Sequence, residues 1–74
     1  MNDLMHSINE TELERRIQST THRQVEDLKI DCSGSRVTVT GLSRSYYVKQ
    51  LATQAVLSIA PRARLVNDIH VCAG

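Results

Sequence analysis

The sequence has no tryptophan and no phenylalanine, and its only aromatic residues are Tyr46 and Tyr47. Its core must therefore be aliphatic. With 74 residues in all, the chain lies near the lower size limit for a self-sufficient hydrophobic core. Two cysteines, Cys32 and Cys72, are too few for a disulfide framework, and they form no CxxC pair. His6, His22 and His70 are scattered without zinc-site spacing. One proline and three glycines exclude collagen and low-complexity chains, and 41% hydrophobic content excludes a disordered one. No apolar run approaches the roughly 20 residues that span a bilayer.

Charge of one sign is also lacking. The net charge of +1 leaves no broad electrostatic footprint for nucleic acid, so no nucleic-acid partner is expected. The distribution is uneven. Residues 1–37 hold five basic against seven acidic groups, a balance of −2, and residues 38–74 hold four against Asp68 alone, a balance of +3. The opening Met1-Asn2-Asp3-Leu4-Met5-His6 carries acid where a signal peptide carries base. A native start at Met1 predicts a cytoplasmic protein; a fragment of a longer chain would be periplasmic or envelope-associated.

Local order is legible in the periodicities. Residues 1–7 show none and read as a flexible N-terminal arm ahead of a single domain over 8–74. Asn9 can cap a first helix over about 10–21, with Glu12 three residues on and Ile8 stapling onto Leu13. Its buried stripe is thin: Leu13, Ile17 and Thr20. From Val25 to Cys32 the period becomes two, with Leu28, Ile30 and Cys32 alternating against Asp27, Lys29 and Asp31. Ser33-Gly34-Ser35 forms the turn, and Val37 and Val39 return the hairpin against Arg36, Thr38 and Thr40. One sheet face is polar and faces water; the other takes the helices.

Gly41 is read as the end of the second strand, and Ser43 or Ser45 as the cap of a second helix. There Val48, Leu51, Ala52, Ala55, Val56 and Ile59 share a face, and Pro61 closes the helix. A third strand from about Arg64 to Cys72 puts Leu65, Ile69 and Val71 inward, with Asn67 as the polar exception. The order is α-β-β-α-β: an α+β fold in which two helices pack on one face of a small mixed three-stranded sheet. The β-α-β crossover makes the third strand parallel to the second, with its place in the sheet left open. Cys32 and Cys72 then lie at opposite ends of the sheet, as free thiols.

Together Val37, Val39 and Gly41 (V-x-V-x-G), the small-and-aliphatic second helix, and Leu65, Asn67, Ile69 and Val71 (L-x-N-x-I-x-V) resemble a BON domain over roughly Leu13 to Val71. Pro61-Arg62 stands where that family usually has Gly-Val. The resemblance implies a bacterial binding module associated with envelope stress, phospholipid membranes or assembly of larger proteins. The ring-building modules of secretion systems share the αββαβ order and imply a protein–protein assembly surface. KH-type RNA domains need a GxxG clamp that this chain lacks.

Chemistry is sparse. No GxSxG elbow or glycine-rich phosphate loop occurs, and Asp31 and Asp68 are isolated carboxylates at exposed strand positions, so neither an enzyme nor a cofactor is expected. Topology gathers Arg23, Arg44, Tyr46 and Tyr47 at one end, beside the start of the second helix, as a candidate anionic-surface site. Tyr46, Thr53 and Leu57 on the outer face of that helix form a candidate partner or self-association patch. Gly41 reads as structural, a left-handed or tightly approached backbone position between strand and helix. Arg62 and Arg64 belong at the other end, facing Glu10 or Glu14. The leading expectation is attachment to an anionic phospholipid surface or envelope component; the alternative is a protein assembly module.

Overall fold

The computed structural model describes residues 9–72; the predicted arm and the Ile8 staple lie outside them. Helix α1 spans Glu10–Thr20. It starts where expected because Asn9, extended at φ −89°, accepts from the Thr11 N–H at 2.8 Å and the Glu12 N–H at 3.4 Å. It ends in a Schellman turn. His22 N–H donates to Ser19 O and Arg23 N–H to Gln18 O, with His22 and Arg23 both left-handed at φ 56° and 61°. The buried stripe is Leu13, Ile17 and Thr21 rather than Thr20. Four-residue steps carry the stripe to Thr21, and its hydroxyl is satisfied there by donating to Ile17 O at 2.7 Å.

Strands β1 (Glu26–Ser33) and β2 (Arg36–Ser43) form the hairpin. Gly34 takes φ 60° at the first corner of the two-residue turn and Ser35 does not, the pattern of a type II′ turn. Helix α2 spans Tyr46–Ile59, and β3 spans Arg64–Val71. The sheet order is β1-β2-β3, with β2 central, antiparallel to β1 and parallel to β3. The fold is thus the expected α+β arrangement of two helices on a mixed three-stranded sheet. The hairpin's second strand takes the third strand as its other neighbour. Cys32 pairs with Val37 beside the turn, whereas Cys72 N–H donates to Ser43 O at the far end of β2, which holds the two thiols apart.

Gly41 does not end β2; the ladder continues to Ser43. Gly41 instead faces a β-bulge in β1, where Asp27 and Leu28 together oppose it and Asp27 is left-handed at φ 55°. A Cβ there would stand 2.9 Å from Val25 Cγ1 and 3.0 Å from Glu26 O. Glycine is required by close approach of the bulged strand.

The core is Leu13 and Ile17 from α1, Val25, Val37 and Val39 from the hairpin, Val48, Ala52, Ala55 and Val56 from α2, and Ile69 from β3. Helix α1 lies over β1 and α2 over β3, and the helices also touch each other. Alanines at 52 and 55 let α2 approach closely. Leu51 is only half-buried and lies outside this cluster, unlike the inward place its spacing gives it; Ile59 packs at the cluster's margin. Asn67 faces inward as expected and is fully used. Its amide donates to Lys49 O at 2.8 Å and to Thr53 Oγ1 at 2.7 Å, and its oxygen accepts from Ile69 N–H at 3.1 Å. At the other edge, Glu10 Oε2 accepts from Cys32 N–H at 3.1 Å, so Glu10 braces β1 instead of meeting Arg62 or Arg64.

Candidate functional site

The end of the domain where β2 delivers the chain into α2 is built by two serines. Ser45, extended at φ −142°, accepts from Val48 N–H at 3.1 Å and caps the helix. Ser43 is buried and donates its hydroxyl to Ser45 O at 3.0 Å, holding the cap from behind. The residue between them, Arg44, is left exposed. The next two begin the helix pointing outward: Tyr46 is 63% and Tyr47 70% exposed. Neither ring borders the core. Arg44, Tyr46 and Tyr47 thus form one exposed group around a capped helix start whose first turn holds no acid.

Arg23 shares this end, since β1 begins at Glu26 opposite Leu42, but it belongs to another surface. It lines an open hollow of about 540 Å³ along α1 with Thr11, Glu14, Arg15, Gln18 and Ser19. Exposed Glu26 and Asp27 lie at the same end as Arg23 and Arg44, so its two arginines are matched by two carboxylates. His22, Arg23 and Asp27 all hold left-handed backbones, which concentrates strain at this end.

The outer side of α2 extends from the tyrosines. Leu57 is 38% exposed, as its place on the same helical face as Tyr46 predicts. Thr53 is not on that surface: it is half-buried and accepts from Asn67, tying α2 to β3. The exposed residues of α2 are Tyr46, Tyr47, Gln50, Gln54, Leu57 and Ser58, none of them charged. Lys49, the one ionisable side chain in the helix apart from the tyrosines, is half-buried at its flank. The absence of charge is readable from sequence once the helix is phased. The α1 hollow is not: its only distinguishing atom is Gln18 Oε1, buried without a partner while Gln18 Nε2 donates to Val25 O at 3.1 Å.

Among the described residues no three His, Cys, Asp or Glu side chains are grouped to hold a metal, and no helix is long and apolar enough to cross a membrane. Burial, followed by the charges of Glu10 and Asp31, raises the thiol pKa of Cys32.

Fold and surface together define a small α+β domain with an uncharged, tyrosine-edged helix face. Compared with protein-family models, curated proteins and solved structures, the chain matches none. The BON-like reading rests on the sequence pattern.

Proposed function

We propose that this domain is a non-catalytic assembly module that docks a protein partner on the outer face of α2, with Tyr46, Tyr47 and Leu57 as contact residues and Arg44 at the rim. One observation carries the reading. In a chain with 23% charged residues, a 14-residue helix exposes six side chains, none of them charged. Solvated helix faces are normally laced with charge, whereas the centres of protein interfaces lose charge and gain tyrosine. A second reading, the BON-like attachment to an anionic phospholipid surface, is supported by Arg44 beside two exposed tyrosines. Glu26 and Asp27 weaken it by offsetting Arg44 and Arg23.

Liposome flotation separates the two. The assembly reading expects no flotation with either neutral or anionic vesicles. It also expects Tyr46→Ala and Leu57→Ala to abolish capture of a partner without changing the melting curve. Salt-sensitive flotation with anionic vesicles that is lost in Arg44→Glu would instead establish the phospholipid reading.

A further inference from the structure

We infer that the open face of the sheet, on the side away from both helices, pairs with the same face of a second copy of this chain. Helix α2 does not reach this surface.

The register fixes what that face presents. Its rows run Glu26–Leu42–His70, Lys29–Thr40–Asp68, Asp31–Thr38–Val66 and Ser33–Arg36–Arg64 across β1, β2 and β3. The central column of Leu42, Thr40 and Thr38 is half-buried between its neighbours although no helix covers it, and Leu42 stands outside the core cluster. Beside it, Val66 is 44% exposed. Charge lies around this column: Lys29, Arg36 and Arg64 against Glu26, Asp31 and Asp68, three of each sign, hence zero net. An uncharged centre inside a charged rim is the composition of an interface.

Its charges are also arranged to suit their own copy. Turning a second sheet over about a two-fold axis parallel to β2 brings β1 of one copy above β3 of the other, row for row. Lys29 then meets Asp68 of the second copy, and Asp68 meets its Lys29. Asp31 lies diagonally across from Arg64 of the second copy, and Glu26 lies opposite its His70. Every pair occurs twice, as an isologous contact requires. On the axis Leu42, Thr40 and Thr38 each face themselves. Arg36 also faces itself, at the open end of the face where both guanidinium groups reach water.

Sheets stack about 10 Å apart with strands nearly aligned, which this axis satisfies. Three eight-residue strands offer roughly 26 by 14 Å of surface on each copy, so the pair buries roughly 700 Å² of flat area, less than a standard stable interface. The dimer is accordingly weak and forms only in concentrated solution.

Sedimentation velocity at low salt, from micromolar to millimolar protein, tests this. Wild type should pass from monomer to dimer, and added salt should reverse the change. Lys29→Glu turns each Lys29–Asp68 contact into a pair of facing carboxylates, and Asp68→Lys turns each into a pair of facing ammonium groups; each variant alone should stay monomeric. An equimolar mixture of the two places opposite charges in contact again and should form a heterodimer at least as tight as wild type. Thr40→Arg, on the axis, should be monomeric in any mixture. Circular dichroism confirms that each variant is folded. Wild type monomeric at millimolar concentration, single variants dimerising like wild type, or a mixture that stays monomeric would each overturn the inference. Tyr46→Ala should leave this dimer unchanged, which separates its failure from failure of the α2 reading.

Discussion

Replacing Gly41 by alanine adds one methyl group where the structure has no room for it. The new Cβ stands 2.9 Å from Val25 Cγ1, 3.0 Å from Glu26 O and 3.4 Å from Leu28 Cα. Only the last is an ordinary contact. Val25 is 3% exposed and belongs to the core, so its side chain has little free volume to move into. Glu26 O belongs to the bulged backbone, so relieving that contact means shifting the strand. Overpacking of this kind costs roughly 1–3 kcal/mol. In a domain of this size each kcal/mol moves the melting temperature by about 4–8 °C. Gly41→Ala should therefore melt roughly 5–20 °C below wild type by circular dichroism. Val25→Ala removes the first contact and leaves the second. Introduced into a Val25→Ala background, Gly41→Ala should cost measurably less than in wild type, a positive coupling in the double-mutant cycle. A Gly41→Ala protein melting with wild type would refute the close-approach account. An unchanged cost in the Val25→Ala background would place the strain wholly on the bulge carbonyl.

Three further outcomes are expected. Leu13→Ala or Ile17→Ala should lose roughly 2–5 kcal/mol in urea titration. Leu51→Ala should lose clearly less, because Leu51 is half-buried outside the core cluster. Asn67→Ala removes three hydrogen bonds and leaves the Thr53 hydroxyl, Lys49 O and Ile69 N–H to water, at a cost of about 1–3 kcal/mol, whereas Thr53→Val should cost less; thermal melts of both variants decide this. Exposed Cys72 should take up a thiol reagent well before Cys32 at neutral pH, and Glu10→Gln should speed the Cys32 reaction. The raised Cys32 thiol keeps its proton in the folded chain after the unfolded chain has lost it. Its contribution to stability is therefore full below the ordinary thiol range and declines as pH rises through that range toward the raised value. Urea midpoints of wild type should fall across that range more than those of Cys32→Ser.

Much of the fold was legible because period and parity carry it. The alternation of Leu28, Ile30 and Cys32 and the caps Asn9 and Ser45 located elements nearly to the residue. Parity also singled out Asn67 as inward, although its partners, Lys49 O and Thr53, depend on how α2 lies over β3. Long-range packing set the remaining features. Gly41 was legible as a closely approached backbone position, but it also reads locally as a strand terminator, and only the bulge on the neighbouring strand places the approach inside β2. Thr53 and Leu51 shift from their helical-wheel places because α2 leans toward β3, which buries the Thr53 side and opens the Leu51 side. At the candidate site, exposure of Arg44, Tyr46 and Tyr47 follows from the Ser43–Ser45 cap. That Arg23 would join the α1 hollow instead was hidden in two consecutive left-handed residues that no glycine announces.

The side chains of Glu10 and Asn67 have a bearing on how the protein behaves when concentrated. A bare strand edge is a template for another strand, and repetition of that step builds fibrils. In this chain each outer strand has an amide already engaged, Cys32 N–H by a carboxylate from α1 and Ile69 N–H by the amide oxygen of Asn67. A newcomer must displace a charged or doubly anchored side chain before it can pair with that amide. Growth sideways is thereby discouraged on the left and on the right, while stacking on the flat face ends after one partner. Crowded solutions of this domain should favour small closed species, and fibril-sensitive dyes should stay dark until α1 or Asn67 is removed.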